Sequence, residues 1–115
     1  MLLDDAGMAR ANAAVFGRSM PTDVISLAYP PLAVAETGWT GEVLINAERA
    51  AREGARRPGG IGRELALYLA HGCQHLSGAD DAAPRDRRGM RRRENAWLAK
   101  EDVRPLWMEV VLDEP

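Results

Sequence analysis

Apolar and polar positions follow two different periods along this chain, and the changes of period divide it into elements. After Asp4-Asp5, the residues Ala6, Met8, Ala9, Ala11, Ala13 and Ala14 predict an alanine-rich helix with an acidic cap, ending near Phe16-Gly17. Thr22 to Tyr29 is rich in β-branched and aromatic residues and predicts a strand that Pro30-Pro31 stops. Residues 32 to 40 read as a loop or short irregular strand closing at Gly38 and Gly41. Glu42-Val43-Leu44-Ile45-Asn46 predicts a second, buried strand. Asn46 or Ala47 then opens a helix running from Glu48 to near Arg57, where Pro58-Gly59-Gly60 breaks it.

The longest helical pattern runs from Ile61 to Ser77, and Leu65, Leu69, Gly72, Cys73 and Leu76 fall at the spacing of a buried stripe. A last clear helix begins near Pro84, with Met90, Glu94, Trp97 and Leu98 on one side. Val103 to Leu112, with Trp107 and Val110-Val111, reads as a further strand or a packed tail. Trp97 and Trp107 suit core or anchoring positions, whereas Trp39 in its Gly-rich loop is the better platform for a stacked base. No repeat, low-complexity tract or linker interrupts the chain, so 115 residues make one domain with a modest core.

Composition narrows the class. The apolar fraction is 46% and the charged fraction 28%, as in soluble globular proteins. No apolar run approaches the roughly 18 residues of a membrane span. The start has no basic stretch of the kind that opens a secretory signal. The one cysteine, Cys73, makes no internal disulfide, which fits a reducing cytoplasm. The net charge of −2 hides an asymmetry: residues 49 to 93 hold eleven Arg against five acids, a local +6. Such a segment suits a polyanion such as RNA, and a merely solvated helix face is the plainer alternative.

Both histidines of the chain lie in this basic segment. A spacing of four residues puts His71 and His75 on one helix face, one turn apart, where two imidazoles can grip one ion. Gly78 offers a left-handed stop, after which Asp80 or Asp81 can swing back towards the same ion. Two ring nitrogens and one carboxylate, with a position left for water, describe a catalytic metal site. Cys73 reads as a small buried apolar residue and not a ligand. Gly72 follows the first histidine, so the His-Glu-x-x-His of zinc peptidases is absent.

Several stretches together resemble the YbeY family of bacterial single-strand-specific endoribonucleases. The family signature His-Gly-x-x-His-Leu-x-Gly-Tyr-Asp-His is similar to the run from His71 to Asp81, His-Gly-Cys-Gln-His-Leu-Ser-Gly-Ala-Asp-Asp. Pro21-Thr22-Asp23-Val24-Ile25-Ser26-Leu27 resembles the family's Pro-Thr-Asp-Val-Leu-Ser-Phe. Gly41-Glu42-Val43-Leu44-Ile45-Asn46 resembles its Gly-Asp-Ile-Val-Ile-Ser strand, and Met90 and Glu94 match a Met-x-x-x-Glu pair.

The resemblance implies an α+β fold, with a small mixed central sheet, surrounding helices and one divalent ion in a cleft. It puts the metal ligands on His71, His75 and Asp81, with Asp where the family has a third His. Carboxylate is an accepted zinc ligand, but it lowers the charge of the centre and widens the choice from zinc to iron(II) or manganese. The family's functional Arg falls on Phe16 in an ungapped alignment, leaving Arg18 as its nearest substitute. Family members usually carry a strand and a helix before the segment matching Leu3-Asp4-Asp5, which implies either an N-terminally short form or a true start that lies upstream; a sheet edge or hydrophobic face left exposed would then pair with a second copy.

The expected function is metal-dependent cleavage of single-stranded RNA in ribosomal RNA maturation, by a metal-activated water. Arg18, Arg85 and Arg88, with Thr22 and Ser26, are the expected substrate contacts. Asp80, Arg18 and Glu94 are candidates for catalytic support. The alternative is a weakened or inactive relative that binds RNA, the ribosome or a ribosomal protein as an assembly factor.

Overall fold

A computed structural model describes residues 1–79 and 81–108. The elements in chain order are β1 (Leu2–Leu3), α1 (Asp5–Phe16), β2 (Val24–Ala28), α2 (Pro31–Thr37), β3 (Gly41–Asn46), α3 (Ala47–Gly54), α4 (Gly60–Leu76), α5 (Pro84–Leu98) and α6 (Arg104–Met108). The architecture is mixed: a small three-stranded sheet surrounded by helices, as expected for a YbeY-like fold. No helix among the described residues is long and apolar enough to cross a membrane.

Strand β3 is the centre of the sheet, parallel to β1 on one side and antiparallel to β2 on the other. Alternation along β3 splits the core in two, because neighbouring side chains point to opposite faces. Leu44 joins Met8 of α1 and Ile25 on one face. Ile45 joins Ala50 of α3 and Tyr68 of α4 on the other. The turn out of β3 hangs on Asn46, which is completely buried. Its side-chain oxygen accepts the Arg49 backbone N–H at 2.9 Å, and its amide donates to Asp5 at 2.7 Å and to the Thr22 carbonyl at 3.1 Å. Arg52 closes the same knot at 2.6 Å and, with Asn46, holds the Asp5 carboxyl far below the usual carboxylate range.

Two sequence expectations need correction. Residues 32 to 40 are not a loop or irregular strand, because Pro31 to Thr37 form α2. Pro31 sits in the first turn, where its missing N–H costs nothing. Thr37 bonds back to Ala33 at 2.8 Å, and Gly38, at φ 75°, closes the helix on the Val34 carbonyl. None of α2 is buried, so no apolar stripe announced it. The buried stripe of α4 is also rotated. Gly62, Glu64, Tyr68 and Gly72 face inward, whereas Leu69 is 41% exposed and Cys73 is exposed, so Cys73 is not the buried residue expected.

Close approach decides that rotation. A Cβ at Gly72 would lie 2.7 Å from Val43 Cγ1 and 3.0 Å from Val24 Cγ2, so only glycine lets α4 lie this near the sheet. The Ser26 hydroxyl donates to the Gly72 carbonyl at 2.8 Å across the same contact. Glu64 tolerates the buried face because the Arg57 guanidinium meets it at 3.2 Å. On α5, Met90, Glu94 and Leu98 are buried as their spacing implies. Beyond it, Arg104–Met108 is helical, and the Trp107 indole donates to the Leu98 carbonyl at 3.0 Å. Val110-Val111 lie outside the described residues.

Candidate metal centre

The last turns of α4 carry His71 and His75, with ring centroids 4.7 Å apart and planes at 79°. Their Nε2 atoms face each other at 3.1 Å. After α4, the N–H groups of Ser77, Gly78 and Ala79 bond back to carbonyls of the final turn, and Gly78 takes φ 93°. The reversal returns Asp81 to the histidines, with Oδ2 at 3.6 Å from His71 Nε2 and 3.4 Å from His75 Nε2.

The donor set fits a small divalent cation. Bonds of roughly 2.0–2.2 Å around a tetrahedral ion put ligand atoms about 3.4 Å apart. The observed edges of 3.1, 3.4 and 3.6 Å bracket that value. Two ring nitrogens facing each other at 3.1 Å also need a proton or a cation between them. The triad is about one-third exposed, which leaves a side open for a further ligand.

Glu94 decides which nitrogen of His71 is free. Its carboxylate is 7% exposed and accepts the Nδ1 proton at 2.6 Å, so Nε2 points at the centre. That bond raises the His71 pKa above its ordinary value, against the opposing effect of burial. In metal-free protein the extra stability from this pair is fully present below the unfolded histidine pKa. It is lost as pH rises through the raised folded value. A metal needs the neutral ring, so the melting-temperature gain on adding zinc should grow between about pH 6 and pH 8. Glu94→Gln should weaken zinc binding by about 10–100-fold, read by competition with a chromogenic chelator. An unchanged affinity would show that Glu94 does not orient the ring.

Two clefts meet at this triad. One, of about 380 Å³, runs between α3 and α5 over α4, and its lining includes Arg49, Arg57, Arg87 and Arg91 with His71 and Asp81. The other, also about 380 Å³, is lined by Phe16, Thr22, Asp23, Val24, Ile25, Ser26, His71, His75 and Asp81. Thr22 and Ser26 therefore reach the site, although the Ser26 hydroxyl is committed to Gly72. Arg18 is exposed and Arg88 is exposed, and neither lines these clefts; Arg85 lines a separate depression with Arg92. Asp80 lies outside the described residues.

Sequence reasoning did not single out Arg87, which donates to the carbonyls of Asp81 and Ala82 at 3.2 and 3.1 Å. It pins the loop that presents Asp81. Its place one turn into α5, directly after that loop, is the signal that could have found it.

Comparison with known proteins places this arrangement. The family model described as Endoribonuclease YbeY matches residues 1–102. The chain belongs to the YbeY family. It is 36% identical over 108 residues to the endoribonuclease YbeY of Roseiflexus sp. (strain RS-1), covering 85% of this chain and 66% of that relative. It is 36% identical over 96 residues to the one from Anaeromyxobacter sp. (strain Fw109-5), covering 82% and 48%. With the one from Parafrankia sp. (strain EAN1pec), identity is 32% over 114 residues, covering 90% and 70%. The chain thus spans about half to two thirds of the length of the first two YbeY relatives.

Proposed function

We propose that this chain is a metal-dependent endoribonuclease that cuts single-stranded RNA, in ribosomal RNA maturation in the cytoplasm. The observation that carries the reading is the convergence of His71, His75 and Asp81, whose ligand atoms lie within 4.8 Å of one another. The relatives' shared name, endoribonuclease, supports the reaction class.

His71, His75 and Asp81 would hold one divalent ion, zinc first and iron(II) or manganese as alternatives. When bound, the ion supplies a Lewis acid that acidifies water and steadies charge on phosphoryl oxygens. The chain's own residues do the rest. Glu94 fixes the ring of His71 and keeps its Nδ1 proton away from the reacting face. Arg87 holds the Asp81 loop closed without drawing on the carboxylate itself. Ser26 ties α4 to β2, so the two histidines keep their distance from the sheet and its Thr22-Asp23 entry.

Two measurements test the proposal. Elemental analysis of purified protein should give close to one divalent ion per chain, with a clear loss in Asp81→Ala. Metal-loaded protein incubated with single-stranded ribosomal RNA should yield fragments that disappear in His71→Ala. RNA bound but not cut by the fully loaded protein would favour the assembly-factor reading instead, and fragments that persist in His71→Ala would point to a contaminating nuclease.

A further inference from the structure

The cleft between α3 and α5 is lined by four arginines and four acids, but not every guanidinium has a partner in the protein. Of its four arginines, Arg57 is spent on Glu53 and Glu64, at 3.2 Å each. Arg87 is spent on the carbonyls of Asp81 and Ala82. Arg49 of α3 and Arg91 of α5 have no side-chain hydrogen bond or ion pair among the described residues. None of the four lining acids forms an ion pair with Arg49 or Arg91: Glu53, which feels the Arg49 charge, pairs with Arg56 and Arg57, Glu94 with His71, Asp81 faces the two histidines, and Asp23 accepts the Val24 N–H at 2.8 Å. Two guanidiniums without a hydrogen bond or ion pair, from two different helices, therefore line one cleft that His71 and Asp81 also line. The second cleft at the triad has no arginine in its lining and offers Phe16, Val24 and Ile25 instead. The two approaches to the centre thus differ in chemistry, and only one suits a chain of phosphates.

We propose that the α3–α5 cleft is the phosphate-binding arm of this site, with Arg49 and Arg91 holding the backbone of a single-stranded RNA on one side of the scissile bond. The proposal rests on the endoribonuclease reading and specifies how the strand enters. Guanidiniums suit this task because their planar fork takes two phosphate oxygens at once. Two helices bearing one contact each also define a path rather than a point, which a free phosphate ion would not need.

The test uses the full chain with excess chelator, so that binding is read without cleavage. A fluorescein-labelled single-stranded RNA of about ten nucleotides, a length suited to such grooves, is titrated by anisotropy at several salt concentrations. In the double variant Arg49→Gln/Arg91→Gln, the dissociation constant should rise at least about tenfold at low salt. The slope of log affinity against log salt should fall by about 1.4, the value for two lost contacts to a single strand. Arg92→Gln/Arg104→Gln removes the same charge from α5 and α6 but from depressions apart from this cleft, and should bind nearly as the unaltered protein does. Melting curves confirm that both variants fold.

An unchanged slope in the cleft variant, an equal loss in the control pair, or no binding by the unaltered protein would each overturn the proposal. The two readings fail separately. RNA held through Arg49 and Arg91 but never cut by the metal-loaded protein sinks only the nuclease. RNA that is cut, with the cleft variant binding normally, sinks only the arm.

Discussion

His71→Ala should abolish RNA cleavage and strip the protein of its ion, with the cleavage rate reduced by at least about a thousandfold. Three effects act together at this position. The substitution removes one of three converging ligand atoms, and the remaining pair, His75 Nε2 and Asp81 Oδ2 at 3.4 Å, gives a weaker two-point grip. It also removes the partner of Glu94, whose carboxylate is 7% exposed and 2.6 Å from His71 Nδ1. A buried carboxylate without its hydrogen bond costs about 1–3 kcal/mol or more, so metal-free His71→Ala should melt several degrees below the unaltered protein. Asp81→Ala differs in kind. Asp81 is 42% exposed in its side chain and serves no buried partner, so its loss should weaken the metal while leaving metal-free melting nearly unchanged. Elemental analysis beside melting curves in chelator separates the two cases. Equal melting of both variants would show that Glu94 and His71 do not form the pair described.

The features legible in the sequence were those set by local rules. The His71–His75 spacing, the Gly78 stop and the return of an aspartate are consequences of helix and turn geometry, and the structure brings Asp81 to the Nε2 atoms of both histidines. The elements α1, β2, β3, α3, α4 and α5 also follow from caps, periodicity and breakers close in sequence. Features set by contacts between distant segments were not legible. The rotation of α4 depends on Val24, Ser26 and Val43, more than 25 residues upstream, so Leu69 and Cys73 were misplaced on the buried side. Helix α2 buries nothing and left no stripe to read. The arginines of the cleft belong to this second group. Composition showed a basic segment, but only the packing of α3 and α5 against α4 separates Arg49 and Arg91 from Arg85 and Arg88.

Gly72→Ala should damage both stability and the metal centre although it adds a single methyl outside the triad. In an isolated helix it would be favourable, since alanine exceeds glycine in helix propensity by about 1 kcal/mol. Here the new methyl would stand 2.7 Å from Val43 Cγ1, 3.0 Å from Val24 Cγ2 and 3.1 Å from Ser26 Oγ. Two of those neighbours are β-branched and stiff at χ1, so they yield poorly, and α4 must lift from the sheet. The net cost should be about 1–3 kcal/mol, the usual range for overpacking, visible as a lower denaturation midpoint. Function should suffer as well, because the rising helix carries both histidines while Asp81 stays pinned through Arg87. Zinc affinity should therefore fall although no ligand has changed. Val43→Ala in the same chain clears the shortest contact, and the double variant should recover most of both losses. Recovery reports a steric cause, whereas two losses that simply add would mean that Gly72 is needed for something other than the close approach of helix and strand.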